Sequence, residues 1–208
     1  MAKLIHYKPQ IMDSNPYHQI IELSLQPAKW INLNNNIINE VLTGLHTNNQ
    51  QNKYIITRND VRNSQGRHQI IMALMWTFAD KPDLRIVRSV LNHIDEIVSM
   101  LDMTGSRNLT KKRYEQLYNR LDDISYVGTT TASVLFFFSQ IKCEGNHSIA
   151  VTGQITPLFS VFEEFGGFNE LGYIGIVERV NEIAREMDVS TEQIEYFLYR
   201  VNKGEIQI

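Results

Sequence analysis

Basic side chains form two clusters whose charge suits the phosphate backbone of a nucleic acid. The later cluster comprises Lys111, Lys112, Arg113 and Arg120. The earlier cluster comprises Arg58, Arg62 and Arg67. Because phosphate neutralisation by Lys and Arg supplies most non-specific affinity for DNA, both clusters are candidate DNA contacts. A solvated protein surface is the alternative interpretation of either cluster.

A sequence pattern typical of a turn between two helices follows the later basic cluster. Residues 110–121 and 129–140 each carry apolar residues at helical spacing, and Gly128 lies between them. A short glycine-containing turn between two helices points unsatisfied backbone N–H groups outward, and such donors suit a phosphate. We therefore predict a helix-hairpin-helix at about residues 110–140. Its predicted DNA-contacting residues are Tyr126, Val127, Gly128, Thr129, Thr130 and Thr131.

The hairpin pattern resembles that of a known family. Its residues are Leu121, Ile124, Val127, Gly128, Ala132 and Ser133. This spacing is similar to the hairpin of helix-hairpin-helix DNA glycosylases, most of all the bacterial branch with an 8-oxoguanine DNA glycosylase fold. Residues 72–78 and 190–198 resemble a Trp-containing helix and the closing helix of that branch. The resemblance implies a two-lobed helical fold and a loop that faces DNA.

The sequence departs from that family where the resemblance places catalysis. Tyr126 replaces the first glycine of the family's G-V-G. Thr130 stands where bifunctional members carry a lysine, and Thr152 stands where the family carries a carboxylate after an apolar run. Threonine neither forms a Schiff base nor stabilises an oxocarbenium-like transition state as a carboxylate does. The resemblance therefore implies a DNA-binding protein that recognises damaged or modified bases, with degenerate or unconventional base-excision chemistry.

Two other side chains near this run could take part in proton transfer. Glu144 and His147 lie in the loop that precedes it. A carboxylate or an imidazole can act as a general acid or base, although a lone side chain in a loop is more often incidental. The candidate catalytic residues are thus Thr130, Thr152, Glu144 and His147. If the chain is an enzyme, we expect a DNA N-glycosylase.

The sequence contains no pattern typical of a metal site, a multi-thiolate site or a nucleotide-binding loop. The six histidines never occur at H-x-x-x-H spacing, and the single cysteine, Cys143, excludes a multi-thiolate zinc site. The sequence contains neither G-x-x-x-x-G-K-[ST] nor G-x-G-x-x-G. We predict no metal site and no cofactor.

Composition narrows the function classes further. With 208 residues, 43% of them hydrophobic, the chain is long enough for one sizeable core. The net charge of −3 gives no global attraction to nucleic acid, so any DNA contact must be local. This acidic balance favours an alternative function, a non-catalytic protein-interaction module of mobile-element or defence type on the same fold. One cysteine and no membrane-length apolar run predict a cytoplasmic protein without membrane contact.

Helical periodicity dominates the chain and predicts an all-α class with seven or eight helices. Outside the hairpin, the predicted helices cover residues 29–42, 69–78, 84–101, 155–165, 174–187 and 191–201. Ser190 and Gln193 predict a capping box for the last of them. Residues 1–53 are predicted to be a partly helical segment that packs on a main domain of residues 54–208. Residues 46–52 predict a surface loop, and residues 54–57 fit either a short strand or the approach to a helix.

Overall fold

The protein is mostly α-helical. The computed structural model describes residues 2–24, 30, 33, 35–48, 53–79, 81–102, 107–166 and 171–208. Helices account for 64% of the residues and strands for 10%. The predicted all-α class is therefore right about the dominant secondary structure, but it omits two small β-sheets. Within this part of the chain, no helix has both the length and the apolar character needed to cross a membrane.

Ten α-helices lie in the described residues. They are α1 (Lys8–Met12), α2 (Asn36–Gly44), α3 (Arg58–Asn63), α4 (Gly66–Phe78), α5 (Leu84–Asn92), α6 (Ile94–Asp102), α7 (Lys111–Asp122), α8 (Gly128–Phe138), α9 (Tyr173–Met187) and α10 (Thr191–Asn202). Short 3-10 helices cover Leu4–Tyr7, Pro16–His18, Thr156–Ser160 and Glu163–Phe165. The strands are β1 (Ile20–Ser24), β2 (His46–Asn48), β3 (Lys53–Thr57), β4 (Asn108–Leu109), β5 (Lys142–Cys143) and β6 (Asn146–His147).

Each sheet has three short strands. In the first, β3 lies between β1 and β2 and is antiparallel to both, with Ile56 opposite Ile21. In the second, β5 is parallel to β4 and antiparallel to β6. Residues 54–57 thus form a strand, as their β-branched isoleucines favour. The start of the predicted loop over 46–52 is strand β2, and its remaining residues lie outside the described ones.

Three predicted helices have different bounds in the structure. The segment 84–101 is two helices, because the backbone leaves helical geometry at His93, where φ is −112° and ψ is 13°. The segment 155–165 contains only 3-10 turns. The Asn35 side chain accepts hydrogen bonds from the N–H groups of Ile37 and Ile38, at 3.0 and 3.3 Å, so α2 begins immediately after this cap.

Helices α4 and α8 form the centre of the core. Both are buried on nearly every side, and the rings of Trp76 and Phe138 meet edge to face with centroids 5.6 Å apart. Because neighbouring elements enclose α8 along its length, packing fixes the place where its first residues reach the surface.

The N-terminal residues pack against the rest of the protein. The N–H of Ala2 donates to the carbonyl of Val161 at 2.9 Å, and the N–H of Leu4 donates to the Glu164 carboxylate at 2.9 Å. The Tyr7 ring contacts the ring of Phe162, with centroids 5.9 Å apart. Glu164 therefore holds the N-terminal segment in place.

Candidate functional site

Helices α7 and α8 hold the predicted hairpin turn between them. Thr110 caps α7 by accepting a hydrogen bond from the N–H of Arg113 at 3.5 Å. In the turn itself, the buried side chains of Ile124 and Val127 anchor the chain to the core. The rings of Tyr114 on α7 and Phe136 on α8 meet edge to face at 4.9 Å between centroids. The turn is therefore a fixed feature of the surface.

The first turn of α8 presents backbone N–H groups that the protein leaves uncapped. Its N-cap position, Val127, has no side chain able to accept a hydrogen bond. Among the described residues, no side chain caps the N–H groups of Gly128, Thr129 and Thr130, and no carbonyl outside the helix accepts from them. Gly128 and Thr129 are exposed. These donors can bind an anionic oxygen, because aligned peptide dipoles make a helix N-terminus electropositive.

Two residues of the turn have left-handed backbone geometry. The φ angle is +53° at Gly128 and +67° at Tyr126. Glycine adopts this conformation freely, whereas other residues are strained in it by about 1–2 kcal/mol. Tyr126 thus has a backbone geometry that glycine would adopt without strain. Its side chain is 62% exposed.

Helix α5 packs against the turn and brings basic side chains to it. The Ser89 hydroxyl donates a hydrogen bond to the carbonyl of Ser125. The guanidinium of Arg85 lies 5.8 Å from the centroid of the Tyr126 ring, and the Asp83 carboxylate holds it at 3.1 Å. Arg88 is exposed one helical turn further along α5. Sequence analysis missed Arg85 and Arg88, because the contact between α5 and the turn is a tertiary one.

A cavity of about 520 Å³ lies beside the turn. Its walls come from the end of α4, from α5, from the hairpin turn and from the loop after the apolar run 149–151. The lining residues are Thr77, Phe78, Ile86, Tyr126, Val127, Gly128, Thr129, Thr130, Thr131, Thr152, Gly153 and Gln154. The structure therefore brings Thr130 and Thr152, two of the candidate catalytic residues, to one cavity.

The lining of this cavity is uncharged and mostly apolar, with a few polar groups. It contains hydroxyl, amide and backbone groups but no carboxylate, imidazole or amine among the described residues. The Thr131 hydroxyl is buried, at 1% exposure of the residue, and has no hydrogen-bond partner within the described structure. Because an unsatisfied buried hydroxyl is costly, this group lowers the stability of the fold and is not presented to a ligand in the cavity.

Most of the predicted basic patch does not adjoin the turn. Lys111, Lys112 and Arg113 form the first turn of α7, whereas the hairpin follows the last turn of that helix, roughly 16 Å away at 1.5 Å per residue. Lys111 also pairs with Glu178, with Nζ and Oε1 2.6 Å apart, which raises the pKa of the lysine. Arg120, the fourth member, is exposed in the last turn of α7, just before the hairpin. The expected proximity to the turn is therefore wrong for the first three residues, although Lys112 and Arg113 are exposed.

The earlier basic cluster is largely internal. Arg58 is fully buried, pairs with Glu195 and hydrogen-bonds to Gln19. Arg62 is mostly buried and pairs with Glu192 at 2.6 Å. Only the third member of the cluster, Arg67, is exposed, and it pairs with an aspartate on α6. The prediction that this cluster contacts DNA is wrong for Arg58 and Arg62, since both are consumed by internal ion pairs.

The predicted alternative catalysts lie away from the cavity lining. The Glu144 carboxylate accepts a hydrogen bond from the N–H of Lys111 at 3.2 Å, so it caps the start of α7. The backbone of His147 donates to and accepts from the Asn181 side chain, at 2.9 and 2.8 Å. Partial burial, with Lys142 nearby, lowers the pKa of the His147 ring. Neither residue lines the cavity that Thr130 and Thr152 share.

The arrangement of the other groups that could react or bind a metal does not favour such chemistry. Burial of the Cys143 thiol, with Glu144 nearby, raises the pKa of that thiol and so disfavours the reactive thiolate. Among the described residues, no group of three or more His, Cys, Asp or Glu side chains is arranged to hold a metal ion.

Comparison with known proteins gives no relative: no family model matches the sequence, and neither a curated protein nor a solved structure matches the chain.

Proposed function

We propose that the protein binds DNA through the turn between α7 and α8. The uncapped N–H groups of Gly128, Thr129 and Thr130 carry this proposal, and the first two belong to exposed residues. A phosphate placed there accepts two or three backbone hydrogen bonds and lies in the favourable field of the α8 dipole. On the adjoining helix, the exposed Arg88 adds local positive charge in a chain whose net charge is −3, whereas Arg85 is paired with Asp83.

We further propose that the neighbouring cavity recognises an altered base by hydrogen bonding, without the usual base-excision chemistry. Phosphate contacts position a protein but do not identify bases, so recognition requires a second element. The Thr130 and Thr152 hydroxyls and the Gln154 amide, which belong to residues that are not buried, supply donors and acceptors for a base edge. The cavity lacks the carboxylate and amine that the family's glycosylases use, which favours binding over rapid excision.

Duplex titration at two salt concentrations tests the DNA-binding proposal. With about two neutralised phosphates, raising salt from about 50 to about 200 mM lowers affinity roughly 12-fold, since the logarithmic slope is about −0.9 per phosphate. Binding that is absent at every salt concentration contradicts DNA binding and favours the alternative, a protein-interaction module.

A matched pair of variants at Thr129 isolates the contribution of the α8 N-terminus. Thr129→Glu places a carboxylate where the helix dipole stabilises it, so the fold is retained while a phosphate is repelled. Thr129→Gln has nearly the same shape and no charge. Both variants lose the hydrogen bond that the Thr129 hydroxyl accepts from Tyr118 at 3.0 Å. We expect Thr129→Glu to lose DNA binding and Thr129→Gln to retain it; equal affinities contradict a phosphate site at this turn.

A further inference from the structure

Tyr126 combines three features that a purely structural turn residue does not need. Its backbone is in the left-handed region, with φ +67°, where glycine is favoured. Its ring is 62% exposed at the tip of the turn. The ring also lines the cavity beside the α8 N-terminus. Strain of this kind persists where the surrounding structure imposes it, and such outliers concentrate at ligand-binding sites.

Side chains of the neighbouring helix α5 hold the Tyr126 ring in position on the surface. The Arg85 guanidinium lies 5.8 Å from the ring centroid, and Asp83 fixes that guanidinium through a second contact at 3.3 Å to Nε. Ser89 hydrogen-bonds to the carbonyl of Ser125, the residue before Tyr126. One face of the ring therefore lies next to the Arg85 guanidinium. Tyr126 directly precedes Val127, the residue at which the turn enters α8.

A flat aromatic surface beside a phosphate-binding turn matches the two parts of one nucleotide. The base stacks on the ring while the phosphate accepts hydrogen bonds from backbone N–H groups. In an intact duplex the faces of the bases are covered by their neighbours, so a base can stack on a protein side chain only when it is unpaired or unstacked.

We propose that Tyr126 stacks on an unpaired nucleobase next to the phosphate held by α8, so that the protein prefers single-stranded or locally opened DNA to intact duplex. This inference rests on the proposed function, because it places the base relative to the phosphate that α8 binds. Arg85, paired with Asp83, is a positioning residue for the ring.

Two oligonucleotides with equal charge separate stacking from phosphate binding. One is a labelled strand of twelve thymidines, and the other is a strand of twelve abasic tetrahydrofuran units with the same number of phosphates. We expect the wild-type protein to bind the thymidine strand roughly 5- to 150-fold more tightly, the range that one aromatic stacking contact provides.

Variants of Tyr126 complete the test. Tyr126→Phe keeps the ring, so the preference for the thymidine strand stays within about twofold of the wild-type value. Tyr126→Gly removes the ring but suits the φ angle of +67°, so the fold is retained and the preference disappears. Arg85→Gln should reduce the preference for the thymidine strand.

The outcomes distinguish this inference from the proposed function. Equal binding of the two strands by the wild-type protein, or a preference that survives in Tyr126→Gly, overturns the stacking contact and leaves DNA binding intact. Failure of the protein to bind either strand or duplex overturns the proposed function itself.

Discussion

The guanidinium of Arg58 and the carboxylate of Glu195 form an ion pair inside the protein, with Nη2 and Oε2 2.5 Å apart. Arg58 is fully buried, and the Phe137 ring lies 4.9 Å from its guanidinium carbon. The pair joins α3 to α10, and Gln19 connects the N-terminal segment to the same arginine. The sequence predicted that Arg58 belongs to a surface patch. In the structure, its side chain instead links distant parts of the fold.

Removing one partner of this pair is expected to destabilise the protein strongly. Arg58→Ala leaves the Glu195 carboxylate buried without its cation, and loss of one member of a buried pair costs about 3–5 kcal/mol. Chemical denaturation of the wild-type and variant proteins measures this difference in the free energy of unfolding. The control is Arg67→Ala, which breaks an exposed pair with Asp95 and should cost less than about 1 kcal/mol. Similar losses in the two variants would show that Arg58 is not internally paired in solution.

Gly128 is expected to be required for its backbone angle. A Cβ at this position would meet no atom within 4 Å, so only the φ angle of +53° opposes a side chain. Gly128→Ala should lower the free energy of unfolding by about 1 kcal/mol, as measured by thermal or chemical denaturation. Gly153 lines the same cavity, also has open space around it and does not have positive φ, so Gly153→Ala should change stability by less. A neutral Gly128→Ala variant would mean that the turn adopts another conformation.

Thr131 and Ser148 should respond in opposite ways to loss of a hydroxyl. The Thr131 hydroxyl is buried and has no partner within the described structure, so Thr131→Val should leave stability unchanged or increase it without changing DNA binding. The Ser148 hydroxyl contacts the Tyr114 hydroxyl at 2.7 Å and donates to the carbonyl of Ile141 at 2.6 Å. Ser148→Ala should therefore cost about 1–3 kcal/mol. Denaturation curves and duplex titrations of both variants test this contrast, and a marked loss of stability in Thr131→Val would disprove it.

Charge reversal near the turn should affect DNA binding more than charge reversal at the start of α7. Arg88→Glu places a negative charge beside the proposed phosphate site, so it should weaken duplex binding and reduce the salt slope by about 0.9. Lys112→Glu makes the same change in charge roughly 16 Å along the helix, where its effect should be smaller. Titration of each variant at several salt concentrations gives the slopes. A larger effect of Lys112→Glu would place the duplex along the first turn of α7 instead.

Local signals in the sequence were sufficient to predict the elements that build the site. The side chains of Thr110 and Ser190 cap their helices within three residues, and the apolar spacing of α7 is set by its own periodicity. The family resemblance placed Thr130 and Thr152 in one site. In the structure, the two residues line one cavity.

The features that sequence reasoning missed depend on contacts between distant residues. Arg58 finds its partners 39 and 137 positions away, so nothing in its neighbourhood distinguishes it from a surface arginine. Strands β4, β5 and β6 have two residues each, too few to show an alternating pattern. The contact between Ser89 and Ser125 likewise joins segments 36 positions apart, so no local pattern indicates that α5 packs against the turn.

The neutral lining of the cavity has a practical consequence for anyone who purifies or assays the protein. The proposed phosphate contact at the α8 N-terminus would weaken as counterions compete for phosphate, whereas hydrogen bonding to threonine hydroxyls would be barely screened. A wash at high ionic strength would thus release nucleic acid held only by its backbone. A ligand seated in the cavity would stay, and its removal would call for a competing uncharged compound.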